Sequence, residues 1–92
     1  MKEITKDYKP RKSDSLLFRE LEDGGAIYDP ETEQLHTLNS TAAYIWVLCT
    51  GEFTVEDIIV QLAHDFDKKE VDIKDQVFQA IKKFIENDLL EE

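Results

Sequence analysis

The sequence predicts one α+β domain, a three-stranded antiparallel β meander followed by three α-helices. Short apolar runs between turn formers occupy residues 16–38, and helical periodicity takes over after Asn39. The chain has 92 residues, of which 41% are apolar, enough for one hydrophobic core and no second. The order of strands first and helices after them fixes the class.

Leu16–Leu21 is short, apolar and bounded by turn formers, which predicts the first strand. Asp23-Gly24-Gly25 is a tight-turn signal leading into Ala26–Asp29, the second strand. Pro30 disfavours helix at Asp29 and opens a polar turn, after which Leu35-His36-Thr37-Leu38 forms a third strand. Links this short favour an antiparallel meander, since parallel strands need long crossovers. Three strands of this length need a covering layer to be stable.

Helices supply the cover. Asn39 is an N-cap for Ser40–Cys49, with Gly51 as a stop, and this helix is apolar on nearly every side, as a central helix must be. Thr54 with Asp57 reads as a capping box for a second helix, whose Val55, Ile58, Ile59, Leu62, Ala63 and Phe66 have helical spacing. Asp72 caps a third helix with Asp75 three residues on, and Leu89-Leu90 closes the apolar pattern. Residues 1–15 show no sustained period and are expected to be a flexible N-terminal arm on a domain spanning 16–92.

Composition excludes several functions. The formal charge is −10, and it is uneven: six basic and four acidic residues lie up to Glu20, against five basic and seventeen acidic from Leu21 on. So acidic a body repels nucleic-acid phosphates and anionic lipid. A winged-helix-like topology invites a DNA-reading hypothesis, but Lys74, Lys82 and Lys83 share the last helix with Asp72, Asp75, Glu86 and Asp88, which leaves no basic footprint. No apolar run approaches the ~20 residues needed to span a bilayer, and the opening MKEITKDYK has no apolar signal region. The single cysteine rules out an internal disulfide framework and fits a cytoplasmic location. His36 and His64 stand on different elements without partners at ligand spacing, Cys49 lies in the densest apolar run, and no glycine-rich phosphate loop exists. The expectation is a non-catalytic protein with no metal and no cofactor.

What remains is a surface for another chain. The third strand, Leu35, His36, Thr37 and Leu38, is short, uncharged and free of proline, so its edge can accept an added strand. With Val77 as origin and 100° per residue, Ala80 falls near 300°, Phe84 near 340°, Ile81 near 40°, Ile85 near 80° and Phe78 near 100°. This arc of about 160° exceeds the ~100° a single core-facing stripe needs. Phe78 and Ile85 occupy one margin with Lys74 and Lys82 beside them, the makings of a wall for an acidic, amphipathic peptide.

The run Leu38 to Gly51 reads LNxTAxxIWxLCxG, with Asp29-Pro30-Glu31 upstream, Thr54-Val55-Glu56-Asp57-Ile58 after it, and a last helix ending in Leu89-Leu90. Together these resemble the PqqD-like family, also called RiPP recognition elements, for ribosomally made and post-translationally modified peptides. Thr50-Gly51 departs from the Asp-Gly of many members. The resemblance implies a winged-helix-like fold without catalytic activity. It implies a peptide chaperone that takes the leader of a precursor peptide beside the third strand and against the third helix. It also implies presentation to a modifying enzyme, a radical S-adenosylmethionine protein in pyrroloquinoline quinone synthesis. Carried onto this chain, the strand edge is Leu35–Leu38 and the helix wall is Lys74, Phe78, Ile81, Lys82 and Ile85. The alternative is a regulatory or structural interaction domain, a homodimer through the open strand, with no leader-peptide ligand.

Overall fold

Alternation along the strands decides which face of the sheet is covered. In the computed structural model, which describes residues 4–91, β1 (Leu17–Leu21), β2 (Gly24–Asp29) and β3 (Gln34–Asn39) pair antiparallel in the order β1-β2-β3. Phe18, Ile27 and His36 lie opposite one another, and Ile27 is wholly buried with its two neighbours half-buried. The next row, Leu17, Tyr28 and Leu35, points the other way and is exposed. The meander is therefore covered on one face only.

Three helices, α1 (Ser40–Leu48), α2 (Val55–Asp65) and α3 (Glu70–Glu86), provide the cover. The Asn39 side chain accepts from the Ala42 amide at 2.8 Å, as an N-cap should. The Thr54–Asp57 capping box is complete: Asp57 N donates to Thr54 Oγ1 at 3.1 Å and Thr54 N to Asp57 Oδ2 at 3.0 Å. The third helix begins earlier than the sequence suggests. Lys69 is its N-cap, without a side-chain cap bond, and Asp72 sits in the first turn with Glu70. There both carboxylates oppose the positive end of the helix dipole. The core joins Ile27 to Ile45 and Trp46 of α1, Ile58 and Leu62 of α2, and Ile73, Val77, Ile81 and Phe84 of α3. Trp46 meets Phe84 edge-to-face, with ring centroids 5.2 Å apart. Among the described residues no helix is long and apolar enough to cross a membrane.

The segment expected as a flexible arm differs most from its sequence reading. Residues 1–3 lie outside the described residues, but residues 6–13 bond to helix ends and loops. Val55 N donates to Tyr8 O at 2.8 Å and Glu56 N to Lys6 O at 3.1 Å, so the segment satisfies two amides that the start of α2 leaves without intrahelical partners. Gly51 N donates to Pro10 O, Lys12 N to Cys49 O, and Glu91 N to Arg11 O at 2.7 Å, which ties the segment to the α1–α2 loop and to the tail after α3. Pro10 is buried. None of this has a periodic signal, because the segment bonds to loops and helix ends and not to a ladder.

Candidate functional site

β3 is an edge strand, and its free side faces α3. A methyl group on Gly24 would fall onto the Leu38 carbonyl oxygen, so that carbonyl is turned toward β2. Backbone groups alternate along an antiparallel strand, which leaves the N–H and C=O of Leu35 and Thr37 directed to the open edge. Six residues at about 3.4 Å each give an edge of about 20 Å.

Between this edge and α3 runs a groove of about 570 Å³. Leu38, Ala42, Ile45, Ala80 and Phe84 make its apolar lining, and Gln76, Gln79, Lys82, Lys83, Glu86 and Asn87 its polar wall. Two of the helix residues that line the hollow, Ala42 of α1 and Ala80 of α3, have small side chains, which leaves room there. Lys82 and Lys83 are exposed and form no ion pair among the described residues, so their ammonium groups remain available to an incoming carboxylate.

The structure sorts the sequence-predicted site residues into three groups. His36, Thr37, Leu38 and Lys82 line the groove, while Leu35 contributes its backbone to the edge and turns its side chain to the outer face, 62% exposed. Ile81 does not reach the surface: it is 0% exposed and belongs to the core. Lys74, Phe78 and Ile85 are absent from the lining. Phe78 and Ile85 are half-buried and pack against the core on the margin of α3 away from β3. The helical arc was wide at that margin because large side chains complete the core there. Gln76, Gln79, Ala80, Lys83 and Asn87 line the groove without being among the sequence-predicted site residues. The signal was Ala80, a small residue at the opposite margin with Gln76 and Lys83 beside it, since a hollow forms where side chains are short.

Two titratable groups outside the groove are shifted by burial. Burial pushes the Cys49 thiol up to about 12, only partly offset by the positive charge of Lys12, and its S–H donates to the Ile45 carbonyl at 3.2 Å. Tyr8 is also held above its usual range, first by burial and then by Cys49. Lys12 donates to the Trp46 carbonyl at 3.5 Å and stands 5.6 Å from the Trp46 ring centroid, a cation–π contact over the core.

Residues 24–90 match the family of Coenzyme PQQ synthesis protein D (PqqD). The chain belongs to the PqqD family. The PqqD match begins at β2, leaving β1 and the docked N-terminal segment outside it. Among solved structures, TbiB1 in complex with the TbiA(beta) leader peptide is similar with a TM-score of 0.76 at 16% identity, over 88% of this chain and 94% of that one. Lasso peptide synthetase B1 complexed with the leader peptide is similar with a TM-score of 0.78, also at 16% identity, over 92% of this chain and all of that one. No curated protein matches the chain significantly. PqqD membership and these likenesses establish the winged-helix-like meander and helix layer as a shared fold.

Proposed function

We propose that this protein is a non-catalytic adaptor that binds the leader segment of a ribosomally made precursor peptide and presents it to a modifying enzyme. The leader adds to β3 as a fourth strand and lies against α3. The observation that carries this reading is the open β3 edge facing α3 across a groove with an apolar floor. Backbone bonds to Leu35 and Thr37 supply affinity that is indifferent to sequence, and the groove supplies selectivity through alternate side chains. An inward-pointing leader residue of modest size fits above Ala42 and Ala80, and an acidic one meets Lys82 or Lys83. The two solved relatives of this fold hold leader peptides, which supports the same ligand class here. A radical S-adenosylmethionine enzyme is the partner class that PqqD membership favours, and a cytoplasmic location suits such a pair. No protein nucleophile is needed, and the Cys49 thiol is buried and protonated at neutral pH.

The test is to titrate isotope-labelled protein with the leader segments of short precursor frames encoded near its gene. The expected result is saturable amide shifts at Leu35, Thr37, Gln76, Gln79 and Lys83. Shifts on the Phe78–Ile85 margin of α3, with none at β3, would overturn the placement.

A further inference from the structure

A second groove lies on the other flank of α1. Thr41, Ala42 and Ile45 face the β3–α3 groove, whereas Ala43 and Val47 face a hollow of about 460 Å³ beside the β1–β2 turn. At 100° per residue these two sets point to opposite sides of the helix. Both grooves can therefore be filled at once.

The floor of this hollow depends on Gly25. A side chain there would meet the Phe18 ring at 2.5 and 2.7 Å, and would touch the Ala43 methyl at 3.4 Å. Lacking one, Gly25 lets the Phe18 ring lie down as part of the lining. Leu21 and Val47 stand at the rim, 45% and 52% exposed, two large apolar side chains with nothing over them. The charged residues that line the hollow are Glu20 and Glu22, both acidic. A third carboxylate, Asp65, accepts from the Tyr44 hydroxyl at its side. The β3–α3 groove has Lys82 and Lys83 against Glu86, so the two hollows carry opposite charge character.

We infer that the β1–α1 groove is a docking site for a protein segment bearing a large apolar side chain flanked by lysine or arginine. The apolar anchor covers Leu21, Val47 and the Phe18 ring, and the flanking cations meet Glu20 and Glu22. A leader peptide selected by Lys82 and Lys83 is disfavoured here, because its carboxylates would face carboxylates. The arrangement gives the adaptor a peptide on one flank of α1 and a partner protein on the other.

The test uses the full chain, isotope-labelled, and three acetylated, amidated hexapeptides. Lys-Lys-Leu-Phe-Lys-Lys carries both features, Ser-Ser-Leu-Phe-Ser-Ser only the anchor, and Lys-Lys-Ser-Ser-Lys-Lys only the charge. Saturable amide shifts at Leu21, Glu22, Ala43 and Val47 are expected with the first peptide alone. Val47→Asp and the pair Glu20→Lys, Glu22→Lys each weaken binding at least about fivefold. The pair Asp72→Lys, Asp75→Lys changes net charge equally but stays within about twofold, because exposed charges away from the contact contribute little. Equal weakening by both pairs, or binding of the anchorless peptide, would reduce the effect to general attraction by an acidic chain and overturn the proposal. Shifts confined to β3 and α3 would also overturn it. Concentration-dependent shifts at the same four residues without peptide would assign the groove to a second copy instead. The leader-binding reading is scored at β3 and α3, so each can fail without the other.

Discussion

Replacing Gly24 with alanine tests whether the placement of β3, and with it the open edge, depends on one hydrogen-sized space. The new methyl would overlap the Leu38 carbonyl oxygen and lie 2.9 Å from both the Leu38 and Asn39 carbonyl carbons. All three atoms are backbone, so relief requires prying the end of β3 from β2. Backbone strain of this kind costs about 1–3 kcal/mol, and the disturbed end of the ladder adds to it. The expected loss is about 3 kcal/mol, a large part of the 5–15 kcal/mol that holds a domain together. Gly25→Ala is the internal control one residue away. Its methyl meets the Phe18 ring, a half-buried side chain that can swing outward, so the expected loss is about 1 kcal/mol. Trp46 is the sole tryptophan and only 1% exposed, so its fluorescence tracks global unfolding in urea. With a slope of about 1 kcal/mol per molar, the midpoint falls by about 3 M for Gly24→Ala and about 1 M for Gly25→Ala. Midpoints that coincide for the two variants would refute the reasoning, because a side-chain clash and a backbone clash would then have proved equivalent.

Thr37→Pro removes an N–H aimed at the open edge without breaking the β2–β3 ladder; leader affinity should fall at least about tenfold by calorimetry, with the unfolding midpoint nearly unchanged. Ile81→Ala should cost about 2–5 kcal/mol in urea unfolding, as a core residue and not a peptide contact. The Cys49 thiol, raised from 9.0 to about 12 by burial, contributes stability that is complete below pH 9 and lost as pH rises toward 12, because the unfolded chain releases its proton first. The stability gap between wild type and Cys49→Ala should therefore narrow by about 2 kcal/mol between pH 8.5 and 10.5 in urea titrations, at about 1.4 kcal/mol per unit. A constant gap would show that the thiol is hydrated in the folded chain.

Period, caps and turn residues are local properties, and they sufficed for the six elements and their order. Asn39, Thr54 and Asp57 announced two helix starts because a cap is made within four residues. The third start lies at Lys69 and not at Asp72, because Lys69 caps without a side-chain bond and leaves no signature in the sequence. The β3 half of the candidate groove was also legible, since the meander ends at this strand and the chain turns helical, with no further strand among the described residues to pair with it.

The helix half was not legible, and neither was the docked N-terminal segment. A helical wheel shows which side chains share a face of α3, but only packing shows whether a margin is filled or left hollow. Phe78 and Ile85 fill theirs, Ala80 lines the groove at its own, and Ile81 is sealed in the core between them. Lys6 and Tyr8 offer carbonyls to the first amides of α2, a contact between segments some fifty residues apart that no local pattern encodes. Sequence alone determined the class, the strand edge and the acidic body. Tertiary structure decided which margins are filled and which line a hollow, and so where that body has room for another chain.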